Sequence, residues 1–305
     1  MQFNYQFTVF TPSYNRAHTL TRVYTSLLNQ TYRDFEWLII DDGSSDNTQD
    51  LVNGWIQEQK IPIRYIYQEN MHKFYSILKG AKLAQGEFFL TLDSDDEVVP
   101  EALQSLIDAW NTIPIKERKK YSAVTGLCKN QHGVIVGDKF PNDPFDSDSI
   151  ESSLSYKIQG EKFGFQKTEV INSLDFPDIY FKNGLIPEGM IWLNIALRNY
   201  KTRYINSVLR IYYQDESTPS LMNDSPFKQN TFGVYKHEQL ILNLPLKYLK
   251  QSPVRTLKAL RLYSSAGFFQ GESVLQQVKG INSRFVKILL LTFMVFGFLH
   301  FKIKS

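Results

Sequence analysis

A chain of 305 residues with 43% apolar side chains is long enough to bury one large core or two modest ones, which excludes global disorder. Its 34 Lys and Arg nearly balance 31 Asp and Glu, and a net charge of +3 excludes a general attraction for nucleic acid. The lone Cys128 rules out an intrachain disulfide, fits a reducing compartment, and reads as a small buried apolar residue.

From its start, Met1-Gln2-Phe3-Asn4-Tyr5-Gln6, the chain lacks the basic and apolar regions of a signal peptide, so its N-terminal part is expected in the cytoplasm. Short runs rich in β-branched and aromatic residues at 7–10, 35–40, 63–67 and 88–92 predict buried strands. Between them, Leu20, Val23, Leu27 and Leu28 recur at helical spacing, as do Leu51, Trp55 and Ile56, then Phe74, Ile77, Leu78 and Ala81. This alternation predicts right-handed crossovers and a mainly parallel α/β sheet, with chemistry at the carboxyl ends of its strands. Beyond Pro100, residues 121–128 and 133–137 read as strands of a hairpin-like excursion and 142–155 as a polar loop. A helix is expected over 189–199 and a strand over 207–213. Residues 288–301 are almost wholly apolar and flanked by Arg284, Lys287, Lys302 and Lys304. The run is shorter than the roughly 20 residues of a full span, which predicts either a shallow membrane-contact helix or a buried one.

The residues after each strand are polar and specific in type. Asp93-Ser94-Asp95 sets two carboxylates one residue apart after the fourth strand, where hard oxygen ligands suit a divalent cation and a diphosphate completes its shell. Acidic residues also serve as caps and turns, which is the plainer reading of the same pattern. Asp41 and Asp42 follow the second strand, Gly43 permits a sharp exit, and Ser45 or Asp46 is placed to cap the next helix. Capping leaves the paired carboxylates Asp41 and Asp42 without a partner, which a nucleotide base N–H would supply.

The blocks Thr11-Pro12-Ser13-Tyr14-Asn15-Arg16, Ile40-Asp41-Asp42-Gly43-Ser44-Ser45-Asp46 and Gly86 to Asp96, followed by Pro100, resemble glycosyltransferase family 2 in order and spacing over about residues 7–108. The resemblance implies the GT-A fold, a nucleoside diphosphate sugar donor with a UDP-sugar favoured, Mg²⁺ or Mn²⁺, and inversion at the anomeric carbon. It implies that Pro12, Tyr14 and Asn15 line the nucleoside pocket, that Asp42 or Asp41 accepts from the base, that Asp93 faces the ribose or sugar, and that Asp95 binds the metal. Ser94 and Asp93 complete that acidic site, and Asp93 joins Asp95 as a metal candidate. One block departs from the family: Glu69-Asn70-Met71-His72-Lys73 stands where many members have glycines and an Asn. Lys73 is a candidate partner for base or phosphates, or a solvated residue at a helix start.

A single displacement needs a base for the acceptor hydroxyl, and Glu188, before Gly189-Met190-Ile191-Trp192, fits both that role and a helix N-terminus. Gly189 would let the backbone come close to a ligand. Asp175 and Asp178 are runner-up bases. His237 is a minor metal candidate, and Arg210 to Tyr213 with Asp215 and Ser217 form a segment placed to close over a substrate. The expected organisation is a donor and metal half over 1–110, an acceptor half over 111–250, and a helical membrane-associating segment over 251–305. The expected reaction moves a sugar onto a lipid-linked or polysaccharide acceptor at the cytoplasmic face of the cell membrane. A nucleotidyltransferase is the rival enzyme, disfavoured because 11–16 lacks a Gly-rich phosphate loop, and an inactive nucleotide-sugar-binding protein is the non-enzymatic rival.

Overall fold

The computed structural model describes residues 2–182, 185–213 and 230–304. They form two compact units, the first made of Met1–Asp148, Ile158–Asp175 and Ile195–Asp215, the second of Ser149–Lys157, Phe176–Asn194 and Glu216–Ser305.

In the first unit the chain runs β1 (Tyr5–Ser13), α1 (Ala17–Leu28), β2 (Phe35–Asp41), α2 (Thr48–Glu58), β3 (Ile63–Tyr67), α3 (His72–Leu83), β4 (Gly86–Thr91), β5 (Glu97–Val98) and α4 (Ala102–Asn111). It continues with β6 (Tyr121–Asn130), β7 (Phe145–Ser147), β8 (Lys162–Lys167), α5 (Thr168–Asn172) and β9 (Lys201–Tyr212). The strands join one sheet in the order β3-β2-β1-β4-β8-β6-β9-β5, with β7 on β9. Pairings among β1 to β4 are parallel, as the alternation of strand and helix predicts. Past β4 the sheet is mixed: β8 runs antiparallel to β4 and β6, while β9 is parallel to β6.

Two segments differ from the sequence expectation. Residues 133–137 form no strand; only an isolated bridge joins Ile135 to Lys129, because Asn130 Oδ1 accepts the N–H groups of His132 and Val134 and folds the chain into a local turn. Within 142–155, β7 pairs with β9 because Phe145 has an aromatic pocket to fill, packing on Phe140 and Tyr204 at ring distances of 6.4 and 5.9 Å.

Every residue of β2 is buried, so Glu36, the carboxylate within the strand, needs internal partners. It accepts from Thr8 Oγ1 at 2.7 Å, Arg64 Nη1 at 2.9 Å and the Gln85 N–H at 2.7 Å, tying β2 to both neighbouring strands and to the start of β4. On the helix-covered face, Phe88 stacks on Phe165 at 4.0 Å and Trp110 meets Phe88 edge-on at 5.2 Å. Tyr24, Trp37 and Trp55 stack in a second group.

The second unit holds α6 (Ile179–Lys182), the start of α7 (Gly189–Leu197), and then α8 (Thr231–Leu242), α9 (Leu246–Gln251), α10 (Pro253–Phe269), α11 (Val274–Lys279) and α12 (Arg284–Lys304). α10 packs on α8, where the Tyr235 and Tyr263 rings stack at 4.7 Å, and α12 packs on α10. The apolar run expected near 288–301 thus lies inside a helix of 21 residues.

Phe165 is fully buried between Phe88, Trp110 and Phe7. Phe165→Ala is expected to lower unfolding free energy by about 3–5 kcal/mol, read from chemical denaturation, through lost burial and a residual cavity.

Candidate active site

Parallel register brings the strand ends together in the first unit. Ser13 at the end of β1 lies opposite Asp41 at the end of β2, Asp41 lies opposite Tyr67 of β3, and the Leu92 N–H just past β4 donates to Phe10 O at 2.8 Å. Loops leaving β1, β2 and β4 therefore share one rim. Asn15, at φ 53°, knits two of them: its N–H donates to Ser44 Oγ and its Oδ1 accepts the Ser45 N–H, both at 2.8 Å. Asp46 serves two helices, accepting the Ala17 N–H of α1 at 3.0 Å and the Thr48 N–H of α2 at 3.1 Å.

Asp41 and Asp42 take different roles despite being neighbours. Both oxygens of Asp41 are filled from within, by the Ser44 N–H at 2.8 Å and the Tyr65 hydroxyl at 2.5 Å, so this carboxylate shapes the turn. Burial, with Asp41 beside it, pushes the Tyr65 hydroxyl well above the usual phenol range and keeps it a donor. Asp42 uses Oδ1 alone, accepting from Gln68 Nε2 at 2.5 Å and the Met71 N–H at 2.9 Å; among the described residues its Oδ2 takes no hydrogen bond. Tyr14 presents an exposed ring on the same rim, with Pro12 half-buried behind it. The atypical 69–73 segment positions Met71 through a left-handed His72 at φ 65°, a conformation glycine adopts more cheaply.

At the end of β4, Asp93 is held by two cations: Lys73 Nζ lies 2.5 Å from Oδ1 and Arg210 Nη1 lies 3.6 Å from Oδ2. Burial pushes Asp93 upward, yet Lys73 and Arg210 outweigh it and hold its pKa below the usual carboxylate value. Ser94 is buried, its carbonyl accepting from Thr19 Oγ1 at 2.9 Å. Asp95 is the open member, its side chain 42% exposed and Arg16 3.9 Å away, while Arg22 Nη1 grips its carbonyl at 2.6 Å.

Sequence reasoning assigned no role to Asp96 or Glu161. Asp96 is 1% exposed, with Oδ1 accepting the Tyr213 N–H at 3.0 Å and Oδ2 3.3 Å from Arg210 Nη1. Burial raises its pKa to about 7 against the opposing pull of Arg210, with Asp93 adding to the rise. Arg210, 4% exposed on β9, also donates to Glu161 Oε2 at 2.9 Å, so one guanidinium serves three carboxylates from two separate stretches. Cys128, opposite Arg210 on β6, is buried, and that burial raises its thiol to about 11. Asp215 and Ser217 lie outside the described residues.

Among the described residues no three His, Cys, Asp or Glu side chains converge as a cage for a metal ion. The chemistry of the donor set still fits Mg²⁺ or Mn²⁺: Asp95 supplies an open carboxylate, and such ions complete their shells with water and phosphate oxygens. Asp93 joins as a ligand only by exchanging Lys73 or Arg210.

Glu188 belongs to the second unit, half-buried, with its carbonyl accepting the Ile191 N–H at 2.8 Å at the start of α7. Of the runner-up bases, Asp175 closes a segment of the first unit and Asp178 lies in the second. The room left by Gly189 faces His237, whose Nε2 would sit 3.2 Å from an added Cβ. His237 Nδ1 is 3.2 Å from Glu238 Oε1, and buried Glu238 takes a two-pronged pair from Arg255 at 2.6 and 2.9 Å. His237 Nδ1 is thus engaged by Glu238, while its Nε2 faces Gly189.

Removing Arg210 strands Asp96 and Asp93. Arg210→Ala is expected to cost about 3–5 kcal/mol of stability in urea titration, and adding Asp96→Asn should return part of that loss; strict additivity of the two changes would contradict the pairing.

Comparison with known proteins agrees with this geometry. The model of the family described as Glycosyl transferase family 2 matches residues 8–147. Glycosyltransferase GlyG of Streptococcus pneumoniae is 30% identical over 215 residues, covering 64% of this chain and 70% of that protein. The GalNAc(5)-diNAcBac-PP-undecaprenol beta-1,3-glucosyltransferase of Campylobacter jejuni is 29% identical over 209 residues, covering 67% of this chain but only 63% of the relative. A Nostoc relative, an uncharacterized glycosyltransferase, is matched over 32% of its length. The crystal structure of S. aureus TarS 1–349 in complex with UDP-GlcNAc aligns with a TM-score of 0.61 at 18% identity, over 97% of this chain and 89% of that one. A Pyrobaculum calidifontis mannosyltransferase in complex with GDP-Man and Mn²⁺ aligns at 0.54 and 16% identity, over 95% of this chain and 79% of that one. With these likenesses added to a sheet whose acidic strand ends share one rim, the chain belongs to glycosyltransferase family 2, a family of transferases, and has the GT-A fold.

Proposed function

We propose that this protein transfers a sugar, with inversion, from a UDP-sugar to a lipid-linked or polysaccharide acceptor at the cytoplasmic face of the cell membrane. The observation that carries the reading is the shared rim on which Asp42 keeps one open oxygen while Asp95 presents an open carboxylate beside Lys73-bound Asp93. On this reading residues 1–110 hold the donor, 111–250 the acceptor, and 251–305 meet the membrane. Relatives support the substrate class: one is named for an undecaprenol-linked glycan, another, from Bacillus subtilis, as a putative teichuronic acid biosynthesis glycosyltransferase, and TarS was crystallised with UDP-GlcNAc.

Each residue has a defined task. Asp42 Oδ2 accepts the base N–H, Tyr14 offers its exposed ring to the base, and Pro12 and Asn15 shape that pocket, Asn15 by fixing the 43–45 turn. Asp41 and Ser94 hold the two loops in register from beneath. Asp95, with Asp93, would hold Mg²⁺ or Mn²⁺, which when bound supplies positive charge for the departing diphosphate. Lys73 sits where its ammonium can move from Asp93 to a phosphate oxygen, a charge-assisted contact of similar kind. Glu188 removes the acceptor hydroxyl proton.

Three experiments test this. UDP-sugar with Mn²⁺ should raise the melting temperature of the protein more than GDP- or dTDP-sugars do, and Asp95→Ala should abolish the metal-dependent part of donor binding in calorimetry. Unchanged affinity in that variant removes Asp95 from the metal site. Glu188→Gln should keep donor affinity while turnover falls about a hundredfold or more; near-normal turnover assigns the base elsewhere.

A further inference from the structure

We infer that α12 seats this protein on an anionic phospholipid bilayer by lying within the headgroup plane, not by crossing it. The inference deepens the membrane-surface reading above and rests on it for the kind of surface met. It is carried by the burial pattern of α12, by what its inner face touches, and by the charge of the segment around it.

Phe285, Ile288, Leu291, Val295, Phe296 and Leu299 are each 49–63% exposed and fall on one side of the helix. Val286, Leu290 and Met294 fall on the opposite side and are buried. A surface helix of a water-soluble protein buries its apolar stripe and exposes polar residues, whereas α12 is apolar on both sides. By length and composition it is able to cross a membrane, yet only 22% of its apolar window is buried in the protein.

Contacts on the inner face argue against crossing. α12 lies along α10: Gly297 abuts Ser264, His300 Nδ1 pairs with Ser265 Oγ at 3.0 Å, and Phe301 meets Phe269 edge-on at 4.8 Å. α10 in turn exposes Lys258 and Arg261 and carries Arg255, which is paired with buried Glu238. A bilayer core would strip water from those charges along with α12, which is unfavourable, while a headgroup-level helix leaves them in water.

Charge then selects the lipid. Residues 245–305 contain ten Lys and Arg against the single acid Glu272, whereas residues 1–244 contain 24 Lys and Arg against 30 Asp and Glu. A polybasic segment bearing an exposed apolar helix complements a negatively charged leaflet, and neither feature alone gives stable attachment.

The test is co-sedimentation of the purified full chain with vesicles of phosphatidylcholine alone or with about one quarter phosphatidylglycerol, without donor or acceptor, so its failure is separate from failure of the transfer reaction. Binding to the anionic vesicles is expected to be at least about tenfold tighter and to weaken as salt rises from about 0.1 to 0.5 M, which shortens electrostatic range. Leu291→Glu with Val295→Glu, both at exposed positions, should lose at least about tenfold of that binding with an unchanged melting temperature. Equal binding to both vesicle types, unaltered binding by the double variant, or release by detergent but not by salt or alkaline carbonate overturns the proposal. So does a chain that ignores vesicles and forms dimers the double variant abolishes, since the face would then belong to a second copy.

Discussion

The guanidinium of Arg210 is the interaction on which the acidic rim depends. Asp93 and Asp96 are three residues apart at the end of one strand, and two partly desolvated carboxylates so close repel each other. Arg210 reaches both and Glu161 as well, and it does so from a strand more than a hundred residues further along. The mixed part of the sheet therefore has a chemical consequence. β9 pairs with β6 so that Arg210 lies opposite Cys128, and with β5 so that it lies opposite Val98, which delivers the cation beneath the rim. Arg is suited to this task, because its planar fork addresses several oxygens at once and it stays charged when buried.

With Arg210 in place, the carboxylates of the rim divide their labour by environment. Asp41 is saturated by protein donors and becomes scaffold, Asp42 keeps half its capacity, Asp93 is neutralised by Lys73 and Arg210, and Asp95 alone faces solvent broadly. Chemically identical side chains thus occupy four different states within one small region, set by which donors the neighbouring loops present.

Much of this was legible from local pattern. The strand and helix periods of residues 5–92 locate the four parallel strands, and their polar ends mark the rim, because a buried strand leaves its reactive residues only at its mouth. Asp93-Ser94-Asp95 stood out for the same reason. Glu161 did not, and Arg210, read only as part of a segment closing over a substrate, proved to be a buried anchor, since the meaning of both lies in pairings across 49 residues and more that no local period encodes. Asp41 was the alternative to Asp42 as acceptor from a base, and its second oxygen is taken by Tyr65, a partner one strand away that becomes visible only with the register of β2 and β3. The failed strand at 133–137 has the opposite origin: its run of β-branched residues was real, but Asn130 offered the backbone a competing set of hydrogen bonds.

The outward apolar stripe of α12 bears on how such a protein would find its acceptor. A catalyst resting on the same leaflet as a lipid-borne substrate meets it by lateral diffusion. Encounter is then governed by molecules per unit area, so diluting the surrounding solution changes little while diluting the acceptor with inert lipid slows the reaction directly.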